Sequence, residues 1–263
     1  KIELGEDKFI NKFKHLFEIP KNFLLKGYIN NLFLNLNDSF QFKADFEDLS
    51  LKSNEFSISG LEGALQYTSD VARLKINTSY LRMALGSLFD SDLIFNNLSS
   101  ELDINLIDNK LSISNSTFKA SYKKTAVSGE INLHPSPFDD TGDLSLKITS
   151  NDLDYLDALT LFPNLSYTKL TKSWLQNSIS CGSFQEVSFI YRGPVDNKYV
   201  DSSSSFQSNG SVKNSCLNVN DVGLKKINLV TKINNSSFMG EVLDGDLYGS
   251  EIKGTVKTFR VNN

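Results

Sequence analysis

Two histidines, two cysteines and one knot of aspartates are the residues that could do chemistry, and none sits in a working pattern. His15 and His134 lie in unrelated contexts without an Asp or Glu at metal-ligand spacing, and His134 is followed by Pro135. No HExxH, GxSxG or SxxK run occurs, so neither a zinc hydrolase nor an activated serine has its usual frame. Asp139, Asp140 and Asp143 suggest a calcium loop, but the EF-hand spacing and its closing Glu are missing. They read as a solvated turn, as does Asp244-Gly245-Asp246. Cys181 and Cys216 belong to no CxxC and no Cys/His cluster, which argues against a zinc or redox site. They read as small buried hydrophobes, with a disulfide as the less favoured alternative. The chain is expected to be no enzyme and to need neither metal nor cofactor.

The bulk numbers narrow the classes further. The 263 residues suffice for one large all-β unit or two smaller ones, and 40% apolar residues is too many for a disordered chain. A net charge of -4 argues against nucleic acid as a partner, because displacing counterions needs a basic face. No run of about 18 apolar residues is present to span a bilayer as a helix. The opening Lys1-Ile2-Glu3-Leu4-Gly5-Glu6 is not a signal peptide and lacks an initiator Met. The sequence therefore reads as an internal piece of a longer chain, with any anchor outside it.

The elements that position the apolar residues follow period two. Phe40, Phe42, Ala44 and Phe46 alternate with Gln41, Lys43, Asp45 and Glu47, which marks a half-buried strand. The pattern returns around Leu74 and Ile76, Leu81 and Met83, Leu102 and Ile104, Phe118, Ile131 and Leu146. Beyond the middle it reappears around Phe189, Leu229 and Ile252. Turn signals such as Asp38-Ser39, Asp108-Asn109 and Asn234-Asn235 separate the runs, and short gaps favour hairpins. The expected fold is mainly β: a long antiparallel, strongly twisted sheet forming an open groove.

Two stretches break this rhythm. Phe9, Ile10, Phe13, Leu16 and Phe17 recur at helical spacing until Pro20, predicting an amphipathic segment over 1–20. Leu153 to Phe162 and then Leu170, Trp174, Leu175 and Ile179 predict a helical insertion over 151–182, with Gly182 as its stop. The remainder divides into a first β-groove section, 21–150, and a second, 183–263.

One-sided strands can stack as a sandwich, close as a barrel, or curl into a groove. A groove leaves an apolar floor that soluble proteins rarely tolerate unless something fills it. Two acyl chains could fill it, since roughly 0.8 kcal/mol per buried methylene gives about 20 kcal/mol. Periodicity alone does not choose among the three.

One block is more specific. Phe162-Pro163, Trp174-Leu175, Gly182 and Arg192-Gly193-Pro194 stand in the order and spacing of the YhdP branch of the AsmA-like proteins, which this chain resembles. Gly27-Tyr28-Ile29-Asn30-Asn31-Leu32 and Ile58-Ser59-Gly60-Leu61 resemble that family's repeated strand units. The resemblance implies a Gram-negative envelope protein, anchored in the inner membrane, whose periplasmic β-groove carries phospholipid towards the outer membrane. The partners it implies are phospholipid acyl chains, neighbouring segments of the same polypeptide, and the inner membrane through an anchor outside this chain. It carries over no catalytic residue; Trp174, Gly182, Gly193 and Pro194 transfer as structural positions. The missing anchor and the modest Pro and Gly content depart from the family pattern. The rival expectation is a structural or adhesive β-repeat module that binds protein partners.

Overall fold

The computed structural model describes residues 2–4, 24–35, 41–52, 57–68, 71–85, 89–107, 110–134, 143–194, 204–219 and 222–257. The amphipathic segment expected over 1–20, with its His15, lies outside these apart from a short strand at Ile2–Leu4, and so do Phe40, Asp139 and Asp140. The chain divides into two compact units. Lys1–Gly86, Ser91–Lys124 and Ser128–Leu144 form the first, and Ser87–Asp90, Thr125–Val127 and Ser145–Asn263 the second.

The first unit is built from β1 (Ile2–Leu4), β2 (Leu24–Asn35), β3 (Gln41–Lys52), β4 (Ser57–Thr68), β5 (Val71–Ala84), β6 (Leu93–Ile107), β7 (Lys110–Tyr122) and most of β8 (Thr125–His134). The second holds most of β9 (Asp143–Ser150), then β10 (Leu153–Asp154), helices α1 (Tyr155–Thr160) and α2 (Ser166–Ser178), and β11 (Ile179–Pro194). It continues with β12 (Ser205–Val219), β13 (Val222–Asn234), β14 (Ser237–Leu247), β15 (Ser250–Glu251) and β16 (Gly254–Lys257). Among the described residues hydrogen bonding follows chain order from β1 to β9 and from β11 to β15, with β10 paired to β11 and β16 to β14. The fold is one open antiparallel sheet with two short helices.

The alternation that makes these strands does not run unbroken. Asn31, Asp48, Asn97 and Asn115 have φ near +50° and each sits at a register shift in its ladder. Asn214 and Lys226 repeat the device in β12 and β13. Each is a bulge, and an extra residue reverses which parity points to a given face. In β3 burial passes from Phe42, Ala44 and Phe46 to Leu49 and Leu51; in β12 it passes from Phe206 and Val212 to Ser215 and Leu217. Asn and Asp tolerate this left-handed backbone better than most residues, because a short polar side chain can bond locally. The amide of Asn31 donates to Asp45 at 2.8 Å, and that of Asn115 to Asp103 at 3.2 Å.

The helices have local causes too. The Asp154 carboxylate accepts from the Leu156 N–H at 2.8 Å and caps α1, and Pro163 follows its last turn. The Thr168 hydroxyl accepts from the Leu165 N–H at 3.2 Å and donates to the Pro163 carbonyl at 2.8 Å, which fixes the start of α2. No described helix is long and apolar enough to cross a membrane.

Three expectations are corrected here. Gly182 does not stop the helix: α2 runs directly into β11 at Ile179, and Gly182 lies inside that strand beside a register shift. Its φ of +124° and the Ser215 Cα, 3.0 Å from where a Cβ would stand, explain the glycine. Leu170 does not face the sheet but is 74% exposed, and the buried side of α2 is Thr168, Thr171, Lys172 and Leu175. Cys181 and Cys216 form a disulfide between directly opposed positions of β11 and β12.

Candidate functional site

Cross-strand register assembles the apolar residues of the first unit into rows. Phe42 pairs with Tyr67, Tyr67 with Ala72, Ala72 with Ile104, and Ile104 with Ile113. The next row is Ala44, Leu65, Leu74 and Leu102; the one after it is Phe46, Gly63, Ile76, Ser100 and Phe118. Five strands about 4.8 Å apart make this strip roughly 19 Å wide. Gly63 is required in it, because a Cβ there would strike the Lys75 carbonyl and stand 3.0 Å from the Phe46 ring. Beyond the phase slip the rows continue with Leu81 opposite Phe95 and Met83 opposite Leu93, and Phe95 stacks at a tilt on Tyr122 at 5.5 Å.

The reverse of this strip is charged. Arg73 faces Asp103 at 3.1 Å and Lys75 faces Glu101 at 3.5 Å, all from the odd positions of β5 and β6. The Asn115 amide and the Arg73 guanidinium both hold the Asp103 carboxyl below its ordinary range. One face is therefore committed to water. On the other, Phe42, Ala44, Phe46, Ile76 and Leu102 are buried and Leu65, Tyr67, Leu74 and Ile104 half-buried, a continuous apolar strip.

The second unit repeats the rows and then covers them. Phe184, Val212, Leu229 and Val242 form one row, and Val187, Gly210, Thr231 and Gly240 the next. A third runs through Phe189, Ser208, Ile233 and Phe238. Over them lie α1 and α2. Phe162 meets Phe206 at 5.0 Å and Phe189 at 5.7 Å, Tyr155 stacks on Phe184 at 6.5 Å, and Trp174 sits 4.9 Å from Phe238. The Tyr155 hydroxyl donates to the Leu175 carbonyl, and burial pushes its pKa up. A small apolar cavity lined by Leu159, Phe162, Leu175, Ile233 and Phe238 remains beneath the helices.

A cation fastens this cover. Lys172, its side chain 8% exposed, reaches Asp90 at 2.6 Å, the Asn164 side-chain oxygen at 3.0 Å and the Phe162 carbonyl at 3.2 Å. Three acceptors satisfy three ammonium hydrogens, which is what a buried lysine needs. Asn164 also donates to Asp90 at 2.7 Å, and the two contacts hold the Asp90 carboxyl below its ordinary range.

A family model described as YhdP protein matches residues 14–221 of the chain. The chain belongs to the YhdP family. Searches of curated proteins and of solved structures returned no match. Membership in the YhdP family makes this an envelope-associated protein from a family of generally non-enzymatic transporters.

Within this YhdP-family chain, seven of the residues expected to line a groove fall in the three rows of the first unit: Phe42, Phe46, Leu74, Ile76, Leu102, Ile104 and Phe118. Ile131 in β8, Leu146 in β9 and Ile252 after β15 are half-buried and lie elsewhere. Phe189 and Leu229 belong to the rows beneath the helices, where Phe189 packs on Phe162. Trp174 is half-buried against Phe238. Gly193, with φ of +153°, approaches Ser204, and the Tyr191 hydroxyl donates to the Pro194 carbonyl at 2.8 Å, closing the end of β11. Sequence reading missed Leu65, Tyr67 and Ile113, which their register partners alone reveal. It also missed the Asp90, Asn164 and Lys172 cluster, whose members have no shared motif.

Proposed function

We propose that this chain is a segment of a bridge-like lipid transporter whose apolar sheet face carries phospholipid acyl chains between the inner and outer membranes. The single observation that carries this reading is the first unit's continuous strip of apolar rows across β3–β7, backed by a charged face. An apolar strip of that extent fits an occupant, and a mobile acyl chain suits rows that are mostly aliphatic and aromatic, with Tyr67 and Ser100 as their polar members. Family membership supports the same reading.

The proposed location is the periplasm of a Gram-negative bacterium, as part of a protein anchored in the inner membrane by a segment beyond this sequence. The Cys181–Cys216 disulfide supports it, since such bonds persist in oxidising compartments. The open strand edges of the sheet fit neighbouring segments of the same polypeptide, which would extend it by main-chain pairing. The second reading, a structural or adhesive module binding protein partners, draws on the closed core of the second unit.

Native mass spectrometry after gentle extraction tests the proposal. Phospholipid masses should accompany the chain. A protein that is lipid-free in every mild detergent tried would favour the structural module.

A further inference from the structure

Resting on the lipid-bearing reading above, we infer that the α1–α2 pair is a built-in occupant of the second unit's floor. It lies where acyl chains would otherwise lie and keeps lipid off β11–β14 while Lys172 holds it latched. The floor beneath the helices is made by the same rule as the first unit's apolar strip. Aromatic and aliphatic rows are relieved by small residues: Gly210 and Gly240 here, Gly63 and Ser100 in the first unit. What differs is the filler. Phe162, Tyr155 and Trp174 reach down from the insertion and meet Phe206, Phe184 and Phe238.

The fastening is not that of an ordinary core helix. An amphipathic helix on an apolar floor gains from presenting aliphatic residues, yet α2 turns Thr168, Thr171 and Lys172 inward. Thr171 donates to the Ser236 carbonyl at 3.0 Å, and Lys172 ties the corner between the helices to Asp90. The Asp90 side chain is 64% exposed, so the outer half of the latch meets water. At its other end α2 is continuous with β11, with no linker between Ser178 and Ile179. The pair thus runs directly into strands at both ends, from β10 at Tyr155 and into β11 at Ile179, and polar contacts hold the corner between the helices. Removing those contacts frees that corner without cutting the chain.

The test uses the full-length parent protein and phosphatidylethanolamine carrying a diazirine in one acyl chain, with adducts mapped by peptide mass spectrometry. In the unaltered protein adducts should fall on β3–β7, at residues such as Leu65 and Leu74, and be absent from Phe184, Phe206 and Phe238. Lys172→Ala should bring adducts onto those three while those on β3–β7 persist. Asp90→Ala breaks the latch from its exposed side and serves as the second variant should Lys172→Ala fail to fold. Adducts on Phe206 in the unaltered protein, or none there in either folded latch variant, would overturn the inference and leave lipid carriage standing. A protein with no adducts anywhere would instead remove the lipid reading on which the inference rests.

Discussion

The two units contain the same kind of sheet face, and only in the second do α1 and α2 lie against it. In the first, rows such as Ala44, Leu65, Leu74 and Leu102 are a mixture of buried and half-buried side chains. In the second, rows such as Phe184, Val212, Leu229 and Val242 lie under α1 and α2. Burial records the difference. Of the large side chains that are almost wholly inaccessible, Leu93 belongs to the first unit and Phe206, Leu153, Leu165, Leu217, Ile227 and Leu229 to the second. Row composition alone therefore does not say whether a face is a core or a floor. The covering element decides, and with it whether a new charge can find water.

The sharpest way to break this comparison is to place a charge in the covered face. Phe206 is 1% exposed between Phe162 and Phe189. Phe206→Asp loses the about 3–5 kcal/mol typical of truncating a buried Phe and adds a carboxylate without a partner. The second unit should lose its cooperative transition in thermal melts followed by near-ultraviolet circular dichroism. Retention of the wild-type melting temperature would mean that the helices do not seal this face.

Reduction comes next in size. The Cys181–Cys216 bond cross-links β11 and β12 within the second unit. Its loss should cost about 2–4 kcal/mol, mostly by freeing the unfolded chain. Urea melts with and without reductant should differ for the second unit and coincide for the first. Equal shifts in both would show that the units do not unfold separately.

How much of this was legible in the sequence depends on the range of the interaction. Alternation at Phe42, Ala44 and Phe46 was plain, because strand period is local. The phase slips were not anticipated, although a signal was present: polar pairs interrupt the alternation at Asn30-Asn31, Glu47-Asp48, Asn96-Asn97 and Lys225-Lys226. Reading such pairs as bulges would have placed Leu49 and Leu51 on the same face as Phe46. The helical insertion was located by its spacing and its Pro163. Its inward side was misjudged at Leu170, because the inward residues Thr168, Thr171 and Lys172 are polar, and Thr171 and Lys172 are bonded to the distant Ser236 and Asp90. The disulfide was underweighted for the same reason, since the register that opposes Cys181 to Cys216 is a property of the sheet.

The smallest expected effect is an acid one. The Asp90 carboxyl is held below its ordinary range by hydrogen bonds from Lys172 and Asn164. A lowered folded pKa contributes stability that is fully present above the unfolded value and lost as pH falls through the folded one. The latch should therefore be intact at neutral pH and weaken only below about pH 4. The exposure of Asp90 to water keeps the contribution small. Comparing wild type with Asp90→Asn across pH 2–7 should show the gap between their melting temperatures narrowing only at the acid end. A gap that is constant over the whole range would remove the ion pair from the account.

The most direct measurement places a charge in the first unit's apolar face and asks what happens to lipid. Leu74 is half-buried between Leu65 and Leu102, and is a gentler site than Phe42, which is 5% exposed. Leu74→Asp should leave a folded protein whose native mass spectrum has lost phospholipid, because the new carboxylate hydrates where acyl chains lay. Lys43→Asp, on the charged face of β3, should keep both fold and lipid. A folded Leu74→Asp protein that retains its full complement of phospholipid would contradict the account.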